Sequence, residues 1–266
     1  MTPQFACVAR WLGGHGVSLV VSAPRDPAGL SAFPEETRLA ESMQVHRRSE
    51  FLTGRSAARE ALVLSGGPAC AIPQGTRGEP LWPAGFTGSI THTKGLVAAG
   101  CLRADGQSIA AGESRRAETV PQKRVLAVGI DLERTGRVLS EAAWQHVLSE
   151  DDVRMHAAVT DPGLRLVLFS AKESLYKAVY PLCGEFFGFD DASLVWTVPG
   201  GMSSVPAECP ANGVARLVLR RTLGSGAQGT LVLHAGQEFV CHWECDGDWL
   251  LTAVVAEGNR ALVPGQ

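Results

Sequence analysis

A polar segment near the middle of the chain most constrains how the chain can fold. Residues 104–124 combine Gly, Ser, Gln and charges of both signs without apolar periodicity, as is typical of an exposed linker or loop. On either side, strand-like and helix-like patterns follow in a similar order. We therefore predict an N-terminal lobe of residues 1–103, a linker or mobile loop of residues 104–124, and a C-terminal lobe of residues 125–266.

Apolar runs and their periodicity predict the elements of each lobe. In the N-terminal lobe we expect strands at 17–21, 89–92 and 96–102 and a helix at 50–64. In the C-terminal lobe we expect a strand at 125–133, short helices within 142–158, a long helix at 164–180 that Pro181 ends, and strands at 194–198, 214–219, 230–234, 237–245 and 249–256. The predicted fold class is α+β, with two similar α/β lobes.

Composition excludes several classes of protein. The 266 residues are 45% hydrophobic and 19% charged with a net charge of −3, so the chain can build a core and has no general reason to bind nucleic acid. Its apolar runs are shorter than the roughly 18 residues that span a bilayer. Seven scattered cysteines suit a reducing compartment. We expect a cytoplasmic protein without a nucleic-acid partner or a membrane span.

Acidic residues end the strongest predicted strand. In the segment 129–133, Asp131 and Glu133 are two residues apart and therefore project from the same face of a strand. Paired carboxylates of this kind bind a hard cation, although two solvated acids at the start of a loop are the more ordinary interpretation of the pair alone.

A second charged group lies on the long predicted helix. Lys172, Glu173 and Lys177 interrupt an otherwise apolar segment at 169–178, and Glu173 and Lys177 are neighbours on a helix. Alone, they would form a surface salt bridge. A third acid beside the first two, flanked by two ammonium groups, instead suits a site for Mg²⁺ and phosphate.

The N-terminal lobe contains a local basic cluster and a glycine-rich stretch. The arginines are Arg47, Arg48, Arg55, Arg59 and Arg77. The cluster is either a solvated helix face or a bidentate grip on phosphate. The stretch 85–93 carries glycines that let the backbone approach a ligand, and His92 ends the short strand within it.

Three alternative motifs are weaker. The residues Cys241, His242 and Cys245, with His234 before them, suggest zinc, but their alternating pattern is simpler as a strand. A serine hydrolase is disfavoured, because no G-x-S-x-G elbow surrounds Ser89 or Ser170. The segment 224–229 matches G-x-G-x-x-G, yet a strand follows it, so we predict a hairpin turn.

Taken in order, these stretches resemble the Sfp-type 4'-phosphopantetheinyl transferases, particularly the enterobactin-synthesis branch. The matching segments are 47–59, 78–83, 88–92, 129–133 and 169–177. The resemblance implies two α/β lobes related by a pseudo-twofold axis, with coenzyme A in the cleft between them, in a monomeric enzyme. It also implies transfer of the phosphopantetheine arm to a serine of an acyl or peptidyl carrier protein, with release of 3',5'-ADP.

The resemblance also implies roles for individual residues. Asp131, Glu133 and Glu173 are the expected Mg²⁺ ligands, and Glu173, or a water that it orients, is the expected base for the carrier serine, with Lys177 beside it. His92 is expected at the 3'-phosphate. The full set of expected coenzyme A contacts is Arg47, Arg55, Arg77, Ser89, His92, Lys172 and Lys177.

Two other functions compete with the transferase. A non-catalytic module that binds coenzyme A or a carrier protein would use the same basic residues, but three acids near a polyanion would repel it without a metal. A Mg²⁺-dependent nucleotide hydrolase would share the metal site and need no carrier protein.

Overall fold

The computed structural model describes residues 2–30, 33–104, 124–156, 158–197, 205–225 and 230–258. The predicted linker therefore lies almost wholly outside the described residues, as do residues 226–229 of the predicted hairpin turn. The α-helices of the described ranges are α1 (Ala6–Gly14), α2 (Pro34–Ala40), α3 (Val45–Leu64), α4 (Glu141–Val147), α5 (Glu150–His156) and α6 (Pro162–Cys183). The strands are β1 (Ser18–Ser22), β2 (Phe86–Thr93), β3 (Leu96–Arg103), β4 (Arg124–Arg134), β5 (Ala192–Thr197), β6 (Asn212–Leu219), β7 (Glu238–Asp246) and β8 (Trp249–Gly258).

The strands form two antiparallel sheets. One has the order β1-β3-β2 and the other β4-β8-β7-β6-β5. The first sheet comes from residues before 104 and the second from residues after 123. Helix α3 packs on the first sheet, and α6 packs on β4 and β8 of the second. The predicted α+β class is confirmed: the described residues form two sheets, and helices pack on both.

Helix α6 is longer than its sequence pattern predicts. The Asp161 carboxylate caps its start by accepting a hydrogen bond from Leu164 N at 2.8 Å, and the helix continues past Pro181 to Cys183. Proline removes one backbone donor and crowds the preceding turn, which a helix tolerates best near its end. The left-handed Gly184 (φ 66°) then ends the helix. Neither α6 nor any other described helix is long and apolar enough to cross a membrane.

The predicted strand at 230–234 is wrong. Leu223 and Leu233 exchange one pair of backbone hydrogen bonds, at 2.8 and 2.9 Å, as an isolated bridge. Leu231 N instead donates to Leu182 O of α6 at 2.8 Å. Because this amide bonds to the helix end, the segment does not extend the sheet as a regular strand.

The N-terminal helix α1 ties the start of the chain to the C-terminal sheet. Cys7 N and Val8 N donate to the Glu244 carboxylate on β7, at 2.8 and 3.0 Å, where an acid stabilises a helix start. Trp11 stacks on His242 with ring centroids 4.1 Å apart. This contact was not predictable from the sequence, because Trp11 and His242 are far apart in the chain and belong to elements with no shared pattern.

Gly129 of β4 lets α6 approach the second sheet closely. A Cβ atom at this position would lie 1.9 Å from Ser174 O and 2.5 Å from Ala178 N, both in the backbone of α6. Backbone atoms in the middle of a helix cannot rotate away as a side chain can. The glycine therefore sets the distance between β4 and α6, and with it the distance between the charged residues on the two elements.

We expect the substitution Gly129→Ala to destabilise the protein by about 3 kcal/mol or more, at the upper end of the range for overpacked cores. Urea unfolding followed by circular dichroism measures this change. Gly136→Ala is the matched control, since nothing lies within 4 Å of a Cβ built there. Equal unfolding midpoints for the two variants would contradict the close approach of α6.

Candidate active site

Side-chain hydroxyl groups join the two sheets where β2 lies beside β4. Ser89 Oγ accepts a hydrogen bond from Ile130 N at 3.2 Å, and Thr91 Oγ1 accepts one from Leu132 N at 3.1 Å. β4 is the edge strand of its sheet, so these buried amides would otherwise lack partners. Ser89 is itself only 2% exposed, and its Oγ accepts a bond at the junction. The structure therefore does not support the predicted coenzyme A contact of Ser89.

Asp131 lies at this junction, and both lobes hold its carboxylate. Lys177 Nζ of α6 donates to Asp131 Oδ1 at 2.6 Å, and Thr91 Oγ1 of β2 donates to the same oxygen at 3.3 Å. Ser170 Oγ of α6 donates to Oδ2 at 2.8 Å. Asp131 is only 6% exposed, so these three donors define how its carboxylate is oriented.

Asp131 lies close enough to Glu133 and Glu173 for its charge to oppose the ionisation of both. Burial raises the pKa of Glu133, and the charge of Asp131 raises it further, whereas its hydrogen bond from Arg137 lowers it. Burial also raises the pKa of Glu173, the charge of Lys177 lowers it, and the charges of Asp131 and Glu133 raise it. The structure thus brings the three predicted acids into one electrostatic group.

These carboxylates do not form a finished metal centre. Among the residues that the structure describes, no three His, Cys, Asp or Glu side chains are arranged to hold an ion. Instead, Asp131 pairs with Lys177 and Glu133 pairs with Arg137. The donor set still fits a hard divalent cation, because it consists of carboxylate oxygens whose mutual repulsion such an ion would relieve.

The two lysines of α6 have different surroundings. Lys177 is partly exposed beside the acids. Lys172 is buried, and burial lowers its pKa while the charge of Asp152 raises it. Its three N–H donors go to Asp152 Oδ2, Val147 O and Phe189 O. The expectation that Lys172 contacts coenzyme A is therefore corrected: this ammonium, with no donor left, ties α6 to its neighbours in the C-terminal lobe.

Arg47 and His92 form a pair close to Asp131 and Lys177. Arg47 Nη1 of α3 contacts His92 Nε2 at the end of β2. The buried Glu50 carboxylate is 3.5 Å from His92 Nδ1 and 3.9 Å from Arg47 Nη1. Burial first, and then the charges of Arg47 and Lys177, lower the pKa of His92 to about 4. An anion bound here would compensate the two cations that disfavour a charged imidazole.

Arg55 is a buried cation with an unused donor. It is 5% exposed, and its Nε has no hydrogen-bond partner. Its guanidinium stacks on Phe51 at 4.8 Å from the ring centroid. Burial lowers its pKa to about 10, and the nearby Glu36 opposes that change. A buried donor without a partner costs free energy. Such a donor is therefore expected where a bound ligand supplies the acceptor.

The other arginines of the predicted cluster differ from one another in role. Arg48 donates to the carbonyls of the preceding turn, and Arg59 pairs with the buried Glu36. Both are therefore structural. Arg77 is exposed on the loop before β2, and its charge lowers the pKa of Tyr176 on α6, which burial raises. Arg77 thus lies near the helix that carries Glu173.

Sequence reasoning missed three residues of this site. Thr91 and Ser170 hold Asp131, and Glu50 lies between Arg47 and His92. Ser170 had a usable signal, since it is a small polar residue one turn before Glu173 on an apolar helix face. Glu50 had none, because acids are common at the start of amphipathic helices.

Two family models match the chain. The one described as the 4'-phosphopantetheinyl transferase N-terminal domain matches residues 35–100. The one described as the 4'-phosphopantetheinyl transferase superfamily matches residues 127–207. Together they cover more than half of the chain and include all the residues predicted here for the site.

Curated proteins with similar sequences have the same description. The chain is 33% identical to the 4'-phosphopantetheinyl transferase PptT of Mycobacterium tuberculosis over 64% of this chain and 68% of that protein. It is 34% identical to Npt of Nocardia iowensis, over 66% of this chain and 71% of that protein. It is 35% identical to Svp of Streptomyces mobaraensis, over 65% of this chain and 63% of that protein. Npt and Svp are also described as 4'-phosphopantetheinyl transferases.

Proposed function

Because this chain belongs to the 4'-phosphopantetheinyl transferase superfamily, we propose that it performs phosphopantetheine transfer in the cleft between β2, β4 and α6. The chain transfers the phosphopantetheine arm of coenzyme A to a carrier protein and releases 3',5'-ADP. The observation that carries the location is the closeness of the acids to the Arg47–His92 pair, because the charges of Asp131 and Lys177 both act on His92. Arg55 adds a buried N–H donor without a partner. That combination suits a metal-assisted reaction of a polyanion.

The basic side of the cleft binds the phosphates of coenzyme A. Arg55 supports this assignment best, because a buried guanidinium N–H without a partner awaits an acceptor. Arg47 and His92 bind the 3'-phosphate, whose charge offsets the repulsion that now lowers the His92 pKa. Arg77, on an exposed loop facing α6, completes the set. Lys172 is not retained, because its three N–H donors are used inside the protein. Ser89 is not retained, because its side chain is buried and its Oγ accepts from Ile130 N.

Asp131, Glu133 and Glu173 hold Mg²⁺. When bound, the ion neutralises charge on the non-bridging oxygens of the pyrophosphate and polarises it for attack. The charge of Asp131 opposes ionisation of both Glu133 and Glu173, and that of Glu133 opposes ionisation of Glu173, which supports this assignment because a cation would relieve the repulsion. Lys177, which is paired with Asp131 in the protein alone, supplies a second positive charge toward the pyrophosphate.

Glu173 accepts the proton of the carrier serine, directly or through a water that it orients. Its raised pKa brings it closer to the range in which a carboxylate is an effective base. The serine oxygen attacks the β-phosphorus of coenzyme A, the bond to the bridging oxygen breaks, and 3',5'-ADP leaves. No covalent enzyme intermediate is required, so no cysteine or serine of the enzyme need act as a nucleophile.

The finer points of the resemblance are part of the same proposal. We assign the chain to the enterobactin-synthesis branch and to siderophore biosynthesis, and we retain a monomer with lobes at 1–103 and 125–266. A non-catalytic coenzyme A or carrier-binding module is the alternative. Its weakness is the acidic group, since three carboxylates beside a phosphate site weaken binding unless a cation joins them.

Product release tests the proposed function. The chain is incubated with coenzyme A and Mg²⁺, and 3',5'-ADP is measured with an apo carrier protein, with a carrier whose acceptor serine is replaced by alanine, and with no carrier. We expect 3',5'-ADP only with the intact serine. Equal release in all three samples would identify a hydrolase, and no release despite coenzyme A binding would identify a binding module.

We expect His92→Ala to weaken coenzyme A binding by roughly 10- to 150-fold, the equivalent of a charge-assisted hydrogen bond of about 1.5 to 3 kcal/mol. Binding of dephospho-coenzyme A, which lacks the 3'-phosphate, should change little. Isothermal titration calorimetry with both ligands measures the difference. His234→Ala serves as a control outside the cleft. An equal loss for both ligands would give His92 a structural role.

A further inference from the structure

A group of buried hydroxyls extends from Asp131 into the interface between α6 and β8. Ser170 Oγ donates to Asp131 Oδ2 at 2.8 Å and lies 2.9 Å from Thr252 Oγ1. Ser174 Oγ, one turn further along α6, lies 2.7 Å from Thr252 Oγ1. The side chains of Ser170, Ser174 and Thr252 are completely buried. A buried group of hydroxyls holds its side chains in one conformation when each of them has a hydrogen-bond partner.

The carboxylate fixes the direction of one of these hydrogen bonds. Each hydroxyl has one proton, and an ionised carboxylate can only accept, so Ser170 donates its proton to Asp131 Oδ2. Thr252 Oγ1 donates to the backbone carbonyl of Ser170 at 2.9 Å, and Ser174 Oγ donates to the backbone carbonyl of Thr252 at 3.1 Å. The Ser170 hydroxyl thus links the Asp131 carboxylate on β4 to α6, which carries Glu173 three residues after Ser170.

The two oxygens of Asp131 consequently have different surroundings. Oδ2 faces the buried Ser170 hydroxyl, whereas Oδ1 is shared by Thr91 and the partly exposed Lys177. A carboxylate with one oxygen fixed in this way cannot rotate freely. Ser170 is the donor that holds Oδ2, and it thereby limits any rotation that would move Oδ1 away from Lys177 and Thr91.

We propose that Ser170 is a positioning residue for the cation site: it holds Asp131 so that Oδ1 faces the cleft, aligned with Glu173 on α6. The proposal rests on the proposed function, because it takes Asp131 as a ligand of Mg²⁺. Ser170 acts through Asp131 and does not contact coenzyme A or the carrier serine. Loss of its hydroxyl should therefore weaken cation binding and leave coenzyme A binding nearly unchanged.

The test is the substitution Ser170→Ala, with Mn²⁺ as the probe. In the presence of coenzyme A, we expect the Mn²⁺ dissociation constant from calorimetry to rise about 10- to 100-fold, as for other groups that orient a metal ligand. The Mg²⁺ concentration for half-maximal transfer should rise equally, while kcat at saturating Mg²⁺ stays close to that of the wild type. Coenzyme A affinity and KM should be almost unaffected.

Ser174→Ala is the matched control. It removes a hydroxyl that is equally buried on the same helix and touches Thr252, without any contact to Asp131. Both alanine variants should lose similar thermal stability, but only Ser170→Ala should lose Mn²⁺ affinity. If Ser170→Ala does not fold, Ser170→Cys keeps the volume and replaces the hydroxyl with a much weaker donor, and it should show the same change in smaller degree.

Each result has a defined meaning. Equal Mn²⁺ affinities for the wild type, Ser170→Ala and Ser174→Ala would overturn the positioning role, as would an equal loss in both variants. A wild type that transfers no phosphopantetheine but binds Mn²⁺ more tightly than Ser170→Ala would overturn the proposed function and leave the positioning role intact. A wild type that binds no Mn²⁺ would overturn the cation site and the role of Ser170 together.

Discussion

Replacing Glu173 by glutamine is expected to slow phosphopantetheine transfer by roughly 10²- to 10⁴-fold at saturating Mg²⁺, the usual cost of losing a general base. The amide keeps the shape of the side chain and cannot accept the serine proton. Coenzyme A binding should persist, because the basic side of the cleft is unchanged. Single-turnover rates at increasing Mg²⁺ concentrations separate weaker metal binding from loss of the base.

The control for this substitution is Glu60→Gln, an identical change at an exposed position of α3. It should transfer at the wild-type rate. Complete rescue of Glu173→Gln by Mg²⁺ would mean that Glu173 only holds the ion and that another group accepts the proton. A persistent defect, with unchanged affinity for the carrier protein, would place Glu173 at the proton transfer.

Asp131→Ala is expected to reduce transfer by about 10³-fold or more, because one lost ligand removes much of the several kcal/mol that a metal ion supplies to the transition state. The substitution also removes the partner of Lys177 and the acceptor of the Ser170 hydroxyl. Folding is therefore checked by circular dichroism before rates are compared. Chelation of Mg²⁺ from the wild type should produce a comparable loss.

Asp248→Ala is the matched control for Asp131→Ala. Asp248 forms an exposed ion pair with Arg134 at the end of β4, with Nη2 and Oδ2 3.1 Å apart, and such pairs contribute little to stability. Its transfer rate should equal that of the wild type. A folded Asp131→Ala protein with near-normal turnover would remove Asp131 from the metal site.

The parts of the fold that depend on periodicity were predictable from the sequence. The apolar run of β4 and the helical pattern of α6 predicted both elements and placed Asp131, Glu133 and Glu173 on them. The meeting of β4 and α6 was not predictable from periodicity, since it depends on Gly129 admitting the helix backbone. That the acids of β4 and α6 lie together was therefore expected only from the resemblance to a family.

Residues with more than one possible partner were harder to assign. Lys172 and Lys177 look alike in the sequence, yet Lys172 finds three acceptors inside the C-terminal lobe and Lys177 faces the cleft. A five-residue spacing places the two lysines on different sides of a helix. The spacing shows that their environments differ, but only tertiary structure shows which side faces the cleft. Arg59 is a similar case, because its partner Glu36 lies on a separate helix.

The intact mass of an apo carrier protein tests the central claim most directly. The carrier is incubated with the wild-type chain, coenzyme A and Mg²⁺, in parallel with samples that contain a chelator or the Asp131→Ala protein. The account predicts that the carrier gains the mass of one phosphopantetheine group at its serine in the first sample only. A carrier of unchanged mass in that sample, with coenzyme A bound to the folded chain, would contradict the account.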